Sequence, residues 1–577
     1  MKNVHEMPFG AAPLVGGGVR FRLWAPGAAE IRLRLDDSAP LAMSPAESGW
    51  HELDVPQARA GTRYRFGLPD GSFVPDPASR ANPDGVDGPS VVVDAGAYAW
   101  QDGAWCGRPW SEAVVYELHV GTFTADGTFA AAVERLPELA ALGVTAIELM
   151  PVAQFSGRRG WGYDGVLAFA PHAAYGAPDD LRRLVDAAHA HGLMVLLDVV
   201  YNHFGPDGNH LHAYCPEFFN EARRTPWGAA INFDGEHSAA VRAFFVHNAL
   251  YWAEEFHVDG LRMDAVHAIH DDSPQHLCEE IAIALRACGA GARPPRPVHL
   301  LLENERNAAW LLERDGHGRP VAADAQWNDD LHHAAHVLAT GETDGYYADY
   351  AQAPLTRLGR ALAEGFVYQG EHSALRGAPH GEPSAHLPAP SFVSFLQNHD
   401  HVGNRALGER LGQLVDVRGS RRLEALRAAI LLAPGVPMLF MGEEWNASTP
   451  FLYFCDFRGE LADAVREGRR KEFARFAAFA DEKSRLAIPD PNARATFGAC
   501  ILRQDERRLP AHAAALRATG ELLALRRRHL VPRLARGTLG GTFSDDGSLL
   551  QVHWVLGDGT LWHLALNLGD RAAPLPL

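Results

Sequence analysis

Apolar and polar positions change their period twice along this chain. The first hundred or so residues alternate in twos, as in VRFRLWAP at 19–26 and EIRLRLD at 30–36, with Gly, Pro and Asp turns between. That pattern predicts a small β-sandwich over 1–108. From about residue 110 apolar runs of strand length alternate with amphipathic segments of helix length. The eight runs are 113–121, 144–152, 193–203, 258–266, 298–304, a weaker one at 324–330, 391–400 and 437–445. Helical segments at 178–192 and 238–256 lie between them, the second with Ser238 as its expected N-cap. Eight βα units predict an α/β fold, a closed (β/α)8 TIM barrel over 109–530 with a short insertion at about 204–236. Period-two alternation returns from 541, after helical stretches at 461–488 and 511–529, and predicts a short C-terminal β-module over 531–577.

An open doubly wound sheet shares the βα alternation, but it does not require polar residues at the end of so many strands. Here His119, Asn202, His203, Arg262, Asp264, Glu303, His399, Asp400, Glu443 and Glu444 all close strand runs. In a barrel the functional groups sit at that carboxyl end.

Three of these runs end in carboxylates: GLRMDA at 260–265, LLLENE at 300–305 and LQNHD at 396–400. Charge at the end of an apolar strand is costly to bury, so its recurrence points to chemistry at Asp264, Glu303 and Asp400. Two carboxyl groups with opposed protonation states can cleave a glycosidic bond, one attacking the sugar while the other protonates the leaving oxygen. A third would hold sugar hydroxyls. Arg262 and Asp264 stand two apart on a strand and share a face, so the guanidinium favours the ionised, attacking form; a structural Arg–Asp pair explains the same two residues equally well. Glu303 follows three leucines, and an apolar wall favours the protonated form. Glu305 competes with it for that role.

Composition narrows the partners. The 71 acidic against 53 basic residues give a formal charge of -18, which supplies no electrostatic footprint for nucleic acid or an anionic membrane. The six cysteines are scattered without a CxxC pair, which argues against zinc and against a disulfide framework and points to a reducing compartment. MKNVHEMPFGAAPL lacks the apolar stretch of a secretory signal, so the expected location is the cytoplasm. The greasiest stretch, 428–442, is broken by Pro434 and Pro437 and reads as helix end, turn and buried strand rather than a membrane span. A metal hydrolase built on His332, His333 and His336 is a rival reading, with His332 and His336 one helical turn apart, but no HExxH arrangement supports it.

DVVYNH at 198–203, GLRMDAV at 260–266, the glutamate closing LLLEN and QNHD at 397–400 resemble the four ordered regions of the α-amylase superfamily of retaining glycosidases. Within it the chain is most similar to the malto-oligosyltrehalose trehalohydrolases. That similarity rests on PDPASRANPDGVDGPS at 75–90, GRRGWGYDG at 157–165, AQWNDDLHHAAH at 325–336, NHDHVGNRALGERL at 398–411 and MGEEWNASTPFLYFCDF at 441–457, and runs from about residue 15 past 530. The resemblance implies Asp264 as nucleophile, Glu303 as general acid/base and Asp400 as the grip on the distorted sugar, with Arg262, His203, His399, Tyr163 and Trp161 lining the subsite. It also implies maltooligosyl-trehalose as substrate, a maltooligosyl-trehalose synthase acting upstream and an N-terminal sandwich of the immunoglobulin-like, carbohydrate-binding-module type. The short insertion at about 204–236 lacks an obvious carboxylate cage, so neither metal nor cofactor is expected. His401, Ala81 and Asp87 depart from the family pattern. A glycogen branching or debranching enzyme would share the same carboxylates, and a non-catalytic amylase-like binding protein is the alternative from another class.

Overall fold

Each apolar run condenses into a short strand whose every residue is buried. In the computed structural model they are β1 (Val115–Leu118), β2 (Ala146–Leu149), β3 (Met194–Val199), β4 (Gly260–Met263), β5 (His299–Leu302), β6 (Ala325–Trp327), β7 (Phe392–Ser394) and β8 (Val436–Phe440). They close into a barrel in sequence order, β8 pairing in parallel with β1. Burial on both faces is why the runs read as continuous apolar stretches instead of alternating ones. It also makes the exceptions inside them conspicuous: Glu117, Glu148, Asp198, Arg262 and Gln326 are all buried. The structure describes residues 4–474, 479, 481–535, 537–569, 571–572 and 574.

The chain divides into two compact units. The first comprises 1–107, 126–134 and 149–299. Its N-terminal part holds two antiparallel sheets, one built on Val19–Trp24 between Gly10–Pro13 and Trp50–Val55, the other on Arg32–Leu35 paired with Arg63–Gly67. Alternate residues of these strands, Val19, Phe21, Leu33, Tyr64 and Phe66, are buried, and Phe21 meets Tyr64 edge-on at 4.9 Å.

Helices α1 (Pro178–Ala190) and α2 (Ser238–Glu255) follow in the same unit. Ser238 is the first residue of α2 and not its cap. His237 holds the cap position at φ 67°, left-handed backbone that ends the preceding turn, and its side chain makes no capping bond. The serine pattern was one residue out of register because the turn, not the hydroxyl, starts this helix.

A buried charge cluster ties this unit together. The Asp259 carboxylate accepts hydrogen bonds from Trp105 Nε1 (2.7 Å), Arg296 Nη1 (2.6 Å) and the Val195 N–H (2.8 Å), and contacts His189 Nε2 at 2.9 Å. The other nitrogen of His189 meets Asp102 at 2.9 Å, as His257 does at 2.8 Å. Although burial opposes it, these neighbours hold the Asp259 carboxyl down at about 2.

The second unit comprises 108–125, 135–148 and 300–577. Helix α3 (Asp329–Thr340) is capped by Asn328, whose side chain accepts from the Leu331 N–H. The predicted tail module is a three-stranded antiparallel sheet, Thr538–Asp545, Leu549–Leu556 and Leu561–Asn567. Its Trp554 is buried and donates through Nε1 to the Leu362 carbonyl at 3.0 Å. Past the end of β8, Glu443 and Glu444 are both buried. Glu443 accepts from the Phe440 N–H at 3.2 Å and Glu444 from the Tyr116 hydroxyl at 2.8 Å. Burial outweighs these bonds and pushes both carboxyls up to about 7.

Asp259→Asn strands the Arg296 guanidinium and a His189 nitrogen in the interior. It is expected to cost about 3–5 kcal/mol in urea-induced unfolding. Because the folded carboxyl lies below its ordinary value of 3.8, the stability it contributes is present above that value and is lost as pH falls toward about 2. Wild type and variant should therefore converge in acid, and a constant difference from pH 7 to pH 2 would refute this account.

Candidate active site

β3 and β4 run side by side with Asp198 opposite Arg262, so the two buried charges meet directly. Arg262 Nη1 donates to Asp198 Oδ2 at 2.8 Å and to Asp264 Oδ1 at 2.8 Å. Asn202, just past β3, donates through Nδ2 to Asp264 Oδ2 and to the Asp264 carbonyl, both at 2.9 Å. The backbone N–H of Asp264 is bound to the Val199 carbonyl at 3.0 Å. Both carboxylate oxygens of Asp264 are thus fixed, while its side chain keeps 12% of its exposure. Immediately afterwards Ala265 takes φ 42°, a left-handed conformation uncommon for a residue with a Cβ, as the chain turns off the strand.

Tyr163 is aimed into the same group. Its hydroxyl donates to Asp198 Oδ2 at 2.6 Å and lies 3.5 Å from Arg262 Nη1. Gly162 makes this possible: at φ 104° it passes so close to Pro151 that a Cβ would stand 2.1 Å from the Pro151 carbonyl oxygen. Trp161, on the other side of that glycine, is buried at 5% exposure. His203 hydrogen-bonds Asn202 Oδ1 through Nδ1, and its ring stacks on Trp227 at 4.4 Å and 7°. Burial holds the His203 imidazole below its ordinary value, so it is neutral at pH 7.

The second unit carries the other two carboxylates. Glu303 is the first residue after β5 and is half-buried, whereas Leu300, Leu301 and Leu302 before it are fully covered. Gln326 on β6 donates to the Asn304 carbonyl at 3.0 Å and so ties down the chain beside it. Glu305 is exposed and paired with Arg376 at 3.4 Å, outside the strand end. Asp400 lies in the short helix α4 (His399–Gly403), capped by Asn398. Its side chain is 41% exposed; Asn404 Nδ2 donates to Oδ1 at 3.1 Å, and His399 Nε2 lies 3.4 Å away. His399 in turn is gripped by Glu117 on β1, whose carboxylate binds both Nδ1 and the backbone N–H, the latter at 3.0 Å.

Asp198 and Glu117 were missed as site residues by reading the strand ends. The signal was present one step earlier, since each is an acid inside an otherwise apolar strand, MVLLDV and VYEL. The sequence grouping of His332, His333 and His336 is not assembled. His336 Nε2 turns to Glu342 at 2.8 Å, and His401 takes its place beside the other two, with donor atoms of His332, His333 and His401 all within 4.8 Å of one another.

Residues 77–221 match the family model for the α-amylase catalytic domain, and 536–577 match the domain of unknown function DUF3459. A malto-oligosyltrehalose trehalohydrolase of Deinococcus radiodurans is 44% identical over 563 residues, covering 96% of this chain and 89% of its own. One from Arthrobacter ramosus is 43% identical over 523 residues, covering 90% and 88%. A solved structure described as a putative α-amylase from Salmonella typhimurium superposes with a TM-score of 0.92 at 48% identity, covering 99% of this chain and 94% of that one.

Glu117 orients His399, so Glu117→Gln should lower kcat by about 10-fold or more, since a misplaced group near the reacting centre costs up to about 100-fold. Steady-state kinetics on the purified, folded variant would check it, and an unchanged kcat would remove Glu117 from the site.

Proposed function

Since the chain belongs to the malto-oligosyltrehalose trehalohydrolase family of the α-amylase superfamily, we propose that it hydrolyses the α-1,4-glucosidic bond next to the trehalose end of maltooligosyl-trehalose and releases trehalose. The choice of linkage rests on the similarity to the trehalohydrolase of Deinococcus radiodurans, 44% identical over 96% of this chain; the observation that carries the retaining chemistry is the fixed Asp264 carboxylate, held by Arg262 and Asn202 at the end of β4 with part of its surface open. In the proposed double displacement an Asp264 oxygen attacks the anomeric carbon while the bond to the trehalose oxygen breaks. Glu303 gives its proton to that leaving oxygen. Water then attacks the same carbon, Glu303 takes a proton from it, and the bond to Asp264 breaks. Two inversions leave the new reducing end in the α configuration. Asp400 and His399 are assigned to hydroxyls of the distorted ring, with Arg262, His203, Tyr163 and Trp161 completing that subsite. Donors that bind more tightly as the ring flattens favour the transition state over the bound substrate.

We assign 1–108 to an N-terminal β-sandwich, 109–530 to the catalytic barrel and 531–577 to the C-terminal module. Among the described residues no helix is long and apolar enough to cross a membrane, and no disulfide joins any of the cysteines. Cysteines without disulfides suit a reducing cytoplasm, the location we propose. A substrate that ends in a non-reducing disaccharide requires an upstream synthase that rearranges the reducing end of a maltooligosaccharide.

Asp264→Asn should lower turnover by several orders of magnitude with the fold intact, because shape is kept and the attacking charge is lost. Glu303→Gln should spare substrates with activated leaving groups relative to natural ones; if Glu305→Gln is the more damaging, the wrong glutamate has been assigned. Incubation with maltooligosyl-trehalose and with plain maltooligosaccharide of equal length should give trehalose from the first, much faster than any cleavage of the second. Equal rates, or new α-1,6 branches in the products, would move the chain to a general amylase or a branching enzyme.

A further inference from the structure

His332 and His333 sit near the start of α3, and His401 sits on α4 next to Asp400. Their rings converge: His332 and His401 lie with centroids 3.6 Å apart, and His333 and His401 5.3 Å apart. His332 Nδ1 is 2.7 Å from the Leu396 carbonyl, which can only accept, so the proton is on Nδ1 and the Nε2 lone pair is available. The Tyr347 hydroxyl lies 3.3 Å from that Nε2. His401 repeats the arrangement. Its Nδ1 lies 2.7 Å from Asn398 Oδ1, an oxygen that also accepts the His401 N–H at 2.9 Å, so Nδ1 donates and Nε2 is left with a lone pair. His333 Nδ1 is buried with no hydrogen-bond partner among the described residues.

We infer that His332, His333 and His401 form a binding site for a divalent transition metal of the Zn2+ class, clamping α3 to α4. Imidazoles whose δ-NH is tied to an oxygen acceptor, with Nε2 turned inward, are the usual metal-ligating form of histidine. Three nitrogen donors select Zn2+, Co2+, Ni2+ or Cu2+ over Mg2+ or Ca2+. Zn–N bonds of about 2.0–2.1 Å put tetrahedral ligands about 3.4 Å apart, so donors already within 4.8 Å need only small side-chain shifts. Asp329 supplies the fourth direction: it stands three and four residues before His332 and His333, on the same helix face, with Oδ1 3.9 Å from His401 Nε2. Burial above all, reinforced by mutual repulsion, pushes the three imidazoles far below their ordinary value, His333 to about 3. The site is distinct from the carboxylates of the proposed reaction and does not depend on that reading.

The full-length chain, stripped with chelator and dialysed, is titrated with Zn2+ by calorimetry and with Co2+ by visible absorption. One Zn2+ per chain, a raised Tm in its presence and the d–d bands of a nitrogen-rich tetrahedral Co2+ centre are expected. Loss of an outer partner alone weakens such sites by roughly 10- to 100-fold, so His401→Gln and His333→Ala should each weaken Zn2+ by about 100-fold or more and abolish the Co2+ bands. Circular dichroism checks that both variants are folded. Absence of Co2+ bands from the wild-type chain, or Zn2+ uptake of equal affinity in wild type and both variants, would overturn the proposal.

Discussion

A fully buried guanidinium is the constraint on which the Asp264 carboxylate depends. Arg262 Nη1 bridges Asp198 and Asp264 at 2.8 Å each, with Tyr163 closing over the same carboxylate. A lone charge in that place would be untenable, and so would either acid without it. Each partner therefore requires the others, and the arrangement is all-or-none. The cost of burying these charges is offset by the barrel strands that carry them: Asp198 and Arg262 are register partners in adjacent strands, so the ladder itself sets their separation.

Much of this was legible in the sequence, for reasons that can be named. Strands buried on both faces must be continuously apolar, so eight such runs at near-regular intervals left few architectures besides a closed barrel. Asp264, Glu303 and Asp400 stood out because each closes an apolar run; Asp264 and Glu303 do follow directly on β4 and β5, whereas β7 ends at Ser394 and Asp400 lies beyond it in α4. What escaped was of two kinds. Asp198 and Glu117 lie within their strands; the ladder register sets Asp198 against Arg262, and the fold brings Glu117 to His399 on α4. The His332, His333 and His401 cluster is long-range, and helical spacing within 325–336 pointed to His336, which bonds Glu342 instead. Ser238 failed for a local reason: a left-handed residue at 237 supplies the start of α2 that the serine was expected to provide.

The two units hold their carboxylates in different ways. Asp264 has both oxygens bound and a backbone fixed to β3, which suits the nucleophile proposed to meet one carbon along one line. Asp400 is more than three times as exposed and is held through Asn404 and the Glu117-anchored His399. The proposed grip on hydroxyls of a ring that changes shape tolerates that freedom. None of this equipment distinguishes one α-glucosidic linkage from another, so selectivity has to arise from loops beyond the strand ends.

The carboxyls of Glu443 and Glu444, pushed up to about 7 by burial, lie well above the ordinary 4.5 that they regain when the chain opens. Near pH 6 the folded chain accordingly carries protons on these groups that the unfolded chain does not, and unfolding releases them to the buffer. The heat of unfolding measured there therefore includes the buffer's own protonation enthalpy, and it differs between phosphate and an amine buffer at identical pH and identical stability. This pair also makes alkalinity a destabilising condition: its contribution is complete below 4.5 and fades as the pH rises through 7. For an acidic protein of formal charge -18, that draws the optimum of stability toward the acid side of neutrality, where self-repulsion is weaker as well.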